Sequence, residues 1–179
     1  MTSAQKPNRW FVVLGAVLIQ LSLGAIYAWS VFTPSLINVG WSKLETQIVF
    51  AVGLVTFAIV MVFAGRMLAK WGPRLLAVMG GLTLGTGYVV AGLLGGTDFW
   101  AVCLGVGLIG GAGIGLGYVV PIAVGMQWFP DKKGMITGLA VAGFGFGDAN
   151  LAWLRRLQAD NGKLRDIAIE FVQALGRPW

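Results

Sequence analysis

A few polar and aromatic side chains stand isolated within long apolar stretches of this sequence. Gln20, Gly24 and Tyr27 recur at i, i+4 and i+7, so in a helix they share one face. Tyr118 follows a glycine run, with Pro121 just beyond it to kink the helix locally. Amide and hydroxyl groups in an apolar wall hold a polar solute by hydrogen bonds; the plainer alternative is that Gln20 bonds a neighbouring helix and the tyrosines anchor near interfaces. Covalent or acid–base chemistry lacks its parts. Histidine is absent, and no paired carboxylates, metal-ligand cluster or nucleophile–base pair can be assembled. The sequence therefore points away from an enzyme and calls for no cofactor or metal.

Gly105-Val106-Gly107-Leu108-Ile109-Gly110 spells G-x-G-x-x-G, with Asp131 some distance on. A dinucleotide site needs a strand before that loop and a second strand carrying the acid. Here the glycines lie inside an apolar run with no preceding strand. They read better as helix-packing surface: Gly107, Gly111 and Gly115 are four apart, as are Gly113 and Gly117, and Gly81/Gly85 and Gly134/Gly138 repeat the spacing. Small residues at that interval let helix backbones approach closely where lipid provides no hydrophobic force between helices.

The elements that must carry these residues follow from the charges. Only 11% of residues are charged and 57% are hydrophobic, against about 25% charged in a soluble domain. No Asp, Glu, Lys or Arg occurs from Trp10 to Ser42, Thr46 to Gly65, Leu75 to Thr97 or Phe99 to Pro130. Each gap meets the roughly 20 residues that a spanning helix needs. Full spans are expected at about 10–32, ending before Pro34, and at 46–64, 75–94 and 100–127. Ser42-Lys43-Leu44-Glu45 reads as a capping box opening the second. Pro73 suits the first turn of the third, and Thr97 or Asp98 caps the fourth. The first apolar stretch is longer than the core of a cleavable signal. Trp128 and Phe129 suit the membrane interface while Lys132 and Lys133 stay in water.

Net charge is +6, and its placement matters more than its size. With a cytoplasmic amino terminus, Lys6, Arg9, Arg66, Lys70, Arg74, Lys132 and Lys133 fall inside, and Lys43 falls outside, accompanied by Glu45 and, in the next external loop, Asp98. That is the positive-inside pattern of a plasma or inner membrane protein. No basic face interleaved with exposed aromatics suggests nucleic acid. The single Cys103 sits in an apolar run as a small packing residue.

Residues 134–147 begin like a fifth span, but Asp148 interrupts it after a stretch too short to cross a bilayer. Asp148 to Trp179 holds five Lys/Arg and four Asp/Glu. Leu164, Ile167, Ala168, Phe171 and Leu175 give one helical apolar stripe after a turn at Asn161-Gly162. This 148–179 segment is expected to be a polar amphipathic helical tail, non-native to the bundle, after a nine-residue amino-terminal tail (1–9) and the membrane unit 10–147.

The loop Gly65-Arg66-Met67-Leu68-Ala69-Lys70-Trp71-Gly72-Pro73-Arg74 resembles the loop motif of the major facilitator superfamily. Gly65, Lys70, Gly72 and Arg74 match it, and Ala69 stands where the motif has Asp. Three further segments are similar to the oxalate/formate antiporter family within that superfamily: Gly24-Ala25-Ile26-Tyr27-Ala28-Trp29-Ser30, Gly113-Ile114-Gly115-Leu116-Gly117-Tyr118, and Trp128-Phe129-Pro130-Asp131-Lys132-Lys133-Gly134 with Thr137-Gly138. The resemblance covers about Trp10 to Gly147.

It implies an all-α membrane protein: a partial amino-terminal bundle with four full transmembrane helices and a truncated fifth. A complete family member has twelve spans in two bundles of inverted three-helix repeats, with substrate bound near the midplane. By that resemblance the first and fourth helices are equivalent, and Gln20, Tyr27 and Tyr118 would contact a small carboxylate such as oxalate or formate. The cationic ligands would belong to the missing carboxyl-terminal bundle, so this chain is expected not to transport alone and to be a truncated or frame-shifted remnant. Its partners would be the lipid bilayer and, in the complete antiporter, the anion. The rival expectation is a small multi-span scaffold or regulator acting through residues 148–179. A homo-oligomer of half-transporters fits less well with an incomplete fifth span.

Overall fold

A computed structural model of the chain describes residues 9–94 and 98–160. Among them there are helices and turns and no strand. The first span joins α1 (Trp10–Leu23), a 3-10 segment (Gly24–Ala28) and α2 (Trp29–Asn38). It does not end before Pro34, which lies inside α2. The missing Pro N–H removes a single bond near the end of the span, which tertiary packing tolerates. Helix α2 closes where Gly40 takes φ 104°. The Trp41 N–H donates to the Leu36 carbonyl at 3.0 Å and the Gly40 N–H to that of Ile37 at 3.1 Å, a Schellman closure that favours glycine at the left-handed position.

Helix α3 (Lys43–Leu94) opens with the expected capping box. The Glu45 N–H donates to the Ser42 hydroxyl at 3.2 Å, and the Glu45 carboxylate accepts from the Ser42 N–H at 2.7 Å and its hydroxyl at 2.9 Å. The helix breaks at Gly72, where φ 76° and ψ 164° leave the helical region just before Pro73. Its two arms are therefore the second and third spans. In a straight helix Gly53 and Gly80 would stand about 40 Å apart. Instead they pack against Gly111 and Gly117, neighbours less than two turns apart on a single helix, so the arms are folded side by side.

The fourth span comprises α4 (Phe99–Val102), a π-helical segment (Cys103–Gly110) and α5 (Gly111–Trp128). Asp98 caps it by accepting from the Trp100 N–H at 3.1 Å. Helix α6 (Lys133–Asp160) follows. It does not stop near Asp148: its backbone runs on to Asp160. Helix continuation needs no apolarity, and residues 148–160 contain no Gly or Pro and many good helix formers. The turn at Asn161-Gly162 and the stripe from Leu164 to Leu175 lie outside the described residues, as do Lys6 and Thr97.

Glycine notches join the second and third spans to the fourth. A Cβ on Gly111 would stand 2.5 Å from the Gly53 carbonyl oxygen, and one on Gly115 2.9 Å from that of Phe57. Gly107 faces Val52 and Val49 at 3.1 and 3.2 Å. On the other side, Gly80 meets the Gly117 nitrogen at 2.8 Å and Gly87 the Gly105 oxygen at 2.5 Å. By contrast nothing lies within 4 Å of a Cβ at Gly81, Gly85, Gly134 or Gly138. Those four make no packing seam among the described residues, because helix rotation turns them away from their neighbours.

The buried side chains lie in layers along the bundle. Trp29, Trp41, Val49, Val102 and Cys103 close one end; Leu23, Ile26, Ile114 and Phe144 form the middle. Ala64, Leu76 and Val120, with Val13, Phe129 and Ile136, close the other end. Phe129 is not an interfacial anchor. It is fully buried, with the Trp10 ring 5.4 Å away and the Arg9 guanidinium 4.9 Å over its face. The outer surface is apolar: Phe11 is 71% exposed, Leu93 80% and Trp100 69%. Such a surface belongs in lipid.

Candidate functional site

At mid-depth four aromatic rings from four spans converge. Tyr27 is carried by the 3-10 segment, Phe57 by the first arm of α3, Tyr118 by α5 and Phe144 by α6. Phe144 is the hub. Its centroid lies 5.4 Å from Tyr27 and 5.0 Å from Tyr118, both edge-on, and 6.2 Å from Phe57 in a stacked arrangement. Phe57 and Tyr118 meet edge-on at 5.3 Å. Edge-to-face rings present partly positive C–H edges, and the phenols add hydroxyl donors. Together they can receive an anion's oxygens without any formal charge.

Local winding sets these positions. The 3-10 segment tightens the first span at Gly24–Ala28, where Ile26 faces the second span across Gly53, its Cδ1 3.7 Å from a Cβ there. Leu23 packs into the notch left by Gly117, its methyls 3.2 and 3.3 Å from the position of a Cβ. That contact draws the first span onto the fourth, one residue before Tyr118.

Gln20 has a different setting. It is fully buried, and neither its amide oxygen nor its nitrogen has a hydrogen-bond partner. Gly143 of α6 lies over it, a Cβ there being 3.4 Å from the Gln20 Cβ. An unpartnered buried amide costs about 1–3 kcal/mol. Gln20 thus lies seven residues, about two turns, before Tyr27 on the first span, closed off by the fifth span. Of Gln20, Tyr27 and Tyr118, the two tyrosines share the cluster and Gln20 stands apart.

Tyr27 also borders a recess of about 360 Å³ between the first and second spans, lined by Trp29, Ser30, Thr33, Gln47 and Phe50 as well. A second groove, of about 390 Å³, runs between the first and third spans over Gly117 and is almost wholly apolar. No group of residues among those described can hold a metal ion. Phe57, Phe144 and Gln47 were missed in the sequence. Phenylalanine in an apolar helix carries no polarity signal.

The elbow residues Arg66, Lys70, Gly72 and Arg74 lie at the same end of the bundle as Arg9, Lys132 and Lys133. The contact of Ala64, Leu76 and Val120 ties the elbow to the end of α5, and Phe129 ties that end to Arg9. Lys43, Glu45 and Asp98 lie at the opposite end, where Trp41 and Phe99 meet at 5.7 Å.

A family model described as Major Facilitator Superfamily matches residues 8–149. Among curated proteins, the chain is 27% identical over 152 residues to the uncharacterized MFS-type transporter YhjX of Escherichia coli, covering 82% of this chain and 36% of that protein. It is 30% identical over 142 residues to the oxalate:formate antiporter of Oxalobacter formigenes, covering 78% and 33%. It is 27% identical over 194 residues to the apicoplast pyruvate carrier 1 of Toxoplasma gondii, covering 82% and 34%. The chain spans about a third of the length of these relatives.

Proposed function

Given that the chain belongs to the major facilitator superfamily, we propose that its helices form the amino-terminal wall of an antiporter for small carboxylates such as oxalate and formate. The observation carrying this reading is the convergence of Tyr27, Phe57, Tyr118 and Phe144 at mid-depth. Superfamily transporters hold substrate near the bilayer midplane, at the interface of their repeats. A cluster of ring edges and phenol hydroxyls suits the flat, oxygen-rich face of a small carboxylate. Two of the relatives carry such solutes in their names, oxalate and formate in one and pyruvate in the other.

The wall is uncharged, and that limits it. Taking a carboxylate out of water is costly unless a cation compensates. The four apolar stretches contain no Lys or Arg. A second bundle bringing the cation and the rocking partner for alternating access is therefore required, and the chain alone binds carboxylate weakly without exchanging it. Gln20 becomes a substrate contact when the fifth span moves off it. The end bearing Arg9, Arg66, Lys70, Arg74, Lys132 and Lys133 faces the cytoplasm, by the positive-inside rule.

Liposomes loaded with oxalate and containing the purified chain test this reading. Labelled oxalate should bind the protein saturably, with formate competing, while exchange stays at the protein-free background. Brisk exchange by the chain alone would refute the need for a second bundle. An absence of oxalate binding would remove the carboxylate assignment.

A further inference from the structure

The recess between the first and second spans is a separate feature from the ring cluster. It lies toward the end of the bundle that carries Lys43, Glu45 and Asp98, and at about 360 Å³ it is at the small end of ligand pockets, which run from roughly 300 to 1,000 Å³. Its lining is mixed. Trp29 and Phe50 form apolar walls, and the indole of Trp29 is already committed, donating to the Thr46 carbonyl at 2.8 Å. Ser30 and Thr33 likewise donate their hydroxyl protons to backbone carbonyls, of Tyr27 at 3.1 Å and Trp29 at 3.2 Å. Two donors remain: the Gln47 amide, exposed and making no hydrogen bond among the described residues, and the Tyr27 phenol.

From this lining we infer that the recess is a first docking site for the same carboxylate, on the route from the non-cytoplasmic side to the ring cluster. The inference rests on the carboxylate reading above. One carboxylate oxygen takes the Gln47 amide N–H and the other the Tyr27 hydroxyl, while the open side leaves part of the hydration shell in place. An uncharged, half-hydrated site avoids the desolvation penalty that a closed one would impose. Tyr27 borders both the recess and the cluster, so a solute can exchange its Gln47 contact for the rings without first releasing Tyr27.

The test uses the full chain in nanodiscs, with Cys103→Ala removing the native thiol. Gln47→Cys is treated with a negatively charged, membrane-impermeant thiosulfonate, with and without oxalate, using sulfate as the ionic-strength control. Equilibrium dialysis of labelled oxalate against the unsubstituted chain and against Gln47→Leu runs in parallel. The inference expects ready modification of Gln47→Cys, slowed several-fold by oxalate and not by sulfate, with weaker oxalate binding by Gln47→Leu. Binding by the unsubstituted chain, with no protection at position 47 and undiminished affinity in Gln47→Leu, overturns the recess and leaves the carboxylate reading standing. Failure of the reagent to reach Gln47→Cys also overturns it, because the recess would then be closed to water. If the unsubstituted chain binds no oxalate at all, the carboxylate reading falls and this inference with it.

Discussion

Phe144 meets Tyr118 edge-on, their ring centroids 5.0 Å apart and their planes at 79°. This contact joins the fifth span to the fourth at the level where Tyr27 and Phe57 also arrive. Phe144→Ala should empty the hub of the cluster. Loss of a buried Phe costs about 3–5 kcal/mol in a packed core, and denaturant unfolding in bicelles should register a loss of that order. Phe144→Leu should recover much of it while still removing the ring edges, so oxalate binding should stay weakened in Leu as in Ala. Restored binding in the leucine variant would show that the ring contributes volume alone.

Gln20 gives a prediction of opposite sign. Its amide is buried without a partner, so Gln20→Leu should raise unfolding stability by about 1–3 kcal/mol. The same substitution should weaken oxalate binding, since Gln20 is proposed to meet substrate once the fifth span moves. Greater stability with unchanged binding would assign the residue to packing.

The glycines separate into two classes with different outcomes. A Cβ at Gly113 would run into the Leu84 backbone and come within 2.9 Å of the Gly80 oxygen, so Gly113→Ala should destabilise by about 1–3 kcal/mol. Gly85 has open space around it, and Gly85→Ala should be neutral or stabilise by up to about 1 kcal/mol through helix propensity. Thermal unfolding of the two variants side by side checks this, and equal effects would contradict the seam.

The capping box has a pH signature. The Glu45 carboxyl lies below its ordinary 4.5, held there first by the Ser42 backbone N–H and second by the Ser42 hydroxyl. A carboxyl depressed in the folded state stabilises fully above its unfolded value, and that contribution disappears as pH falls through the folded value. The start of α3 should therefore hold at neutral pH and fray in acid. An NMR titration of Glu45 should end below the usual carboxylate range, and Ser42→Ala should shift it upward. A titration that ignores the substitution would rule out the reciprocal bond.

The charge gaps made the span positions legible, because excluding charge from lipid is a strong and local constraint. The cap at Ser42 and Glu45 was legible too, since it depends on four adjacent residues. The end of the first span was not. Pro34 reads as a stop, yet packing carries the helix past it to Asn38. Nor was the continuity of α6 through Asp148, where apolarity fails and helix propensity continues. Tyr27 and Tyr118 stood out as polar groups in apolar runs, whereas Phe57 and Phe144 are indistinguishable in sequence from side chains that face lipid. Gln47 sits one turn inside the cap, where a polar residue draws no attention. Its meaning depends on Tyr27, twenty residues earlier in the chain.

The notches at Gly107, Gly111 and Gly115 have a consequence for movement. Each accepts backbone or a β-branched side chain of the second span, and the residues that directly follow them, Leu108, Ala112 and Leu116, carry side chains. Sliding the fourth span by one residue, about 1.5 Å, would bring such a side chain against the ridge that the glycine had received. Register is regained only after a full interval of four residues, about 6 Å along the axis. The seam is thus a ratchet with a coarse tooth, and small displacements are left to the first and fifth spans, whose contact at Gly143 is looser, a Cβ there meeting nothing nearer than 3.4 Å.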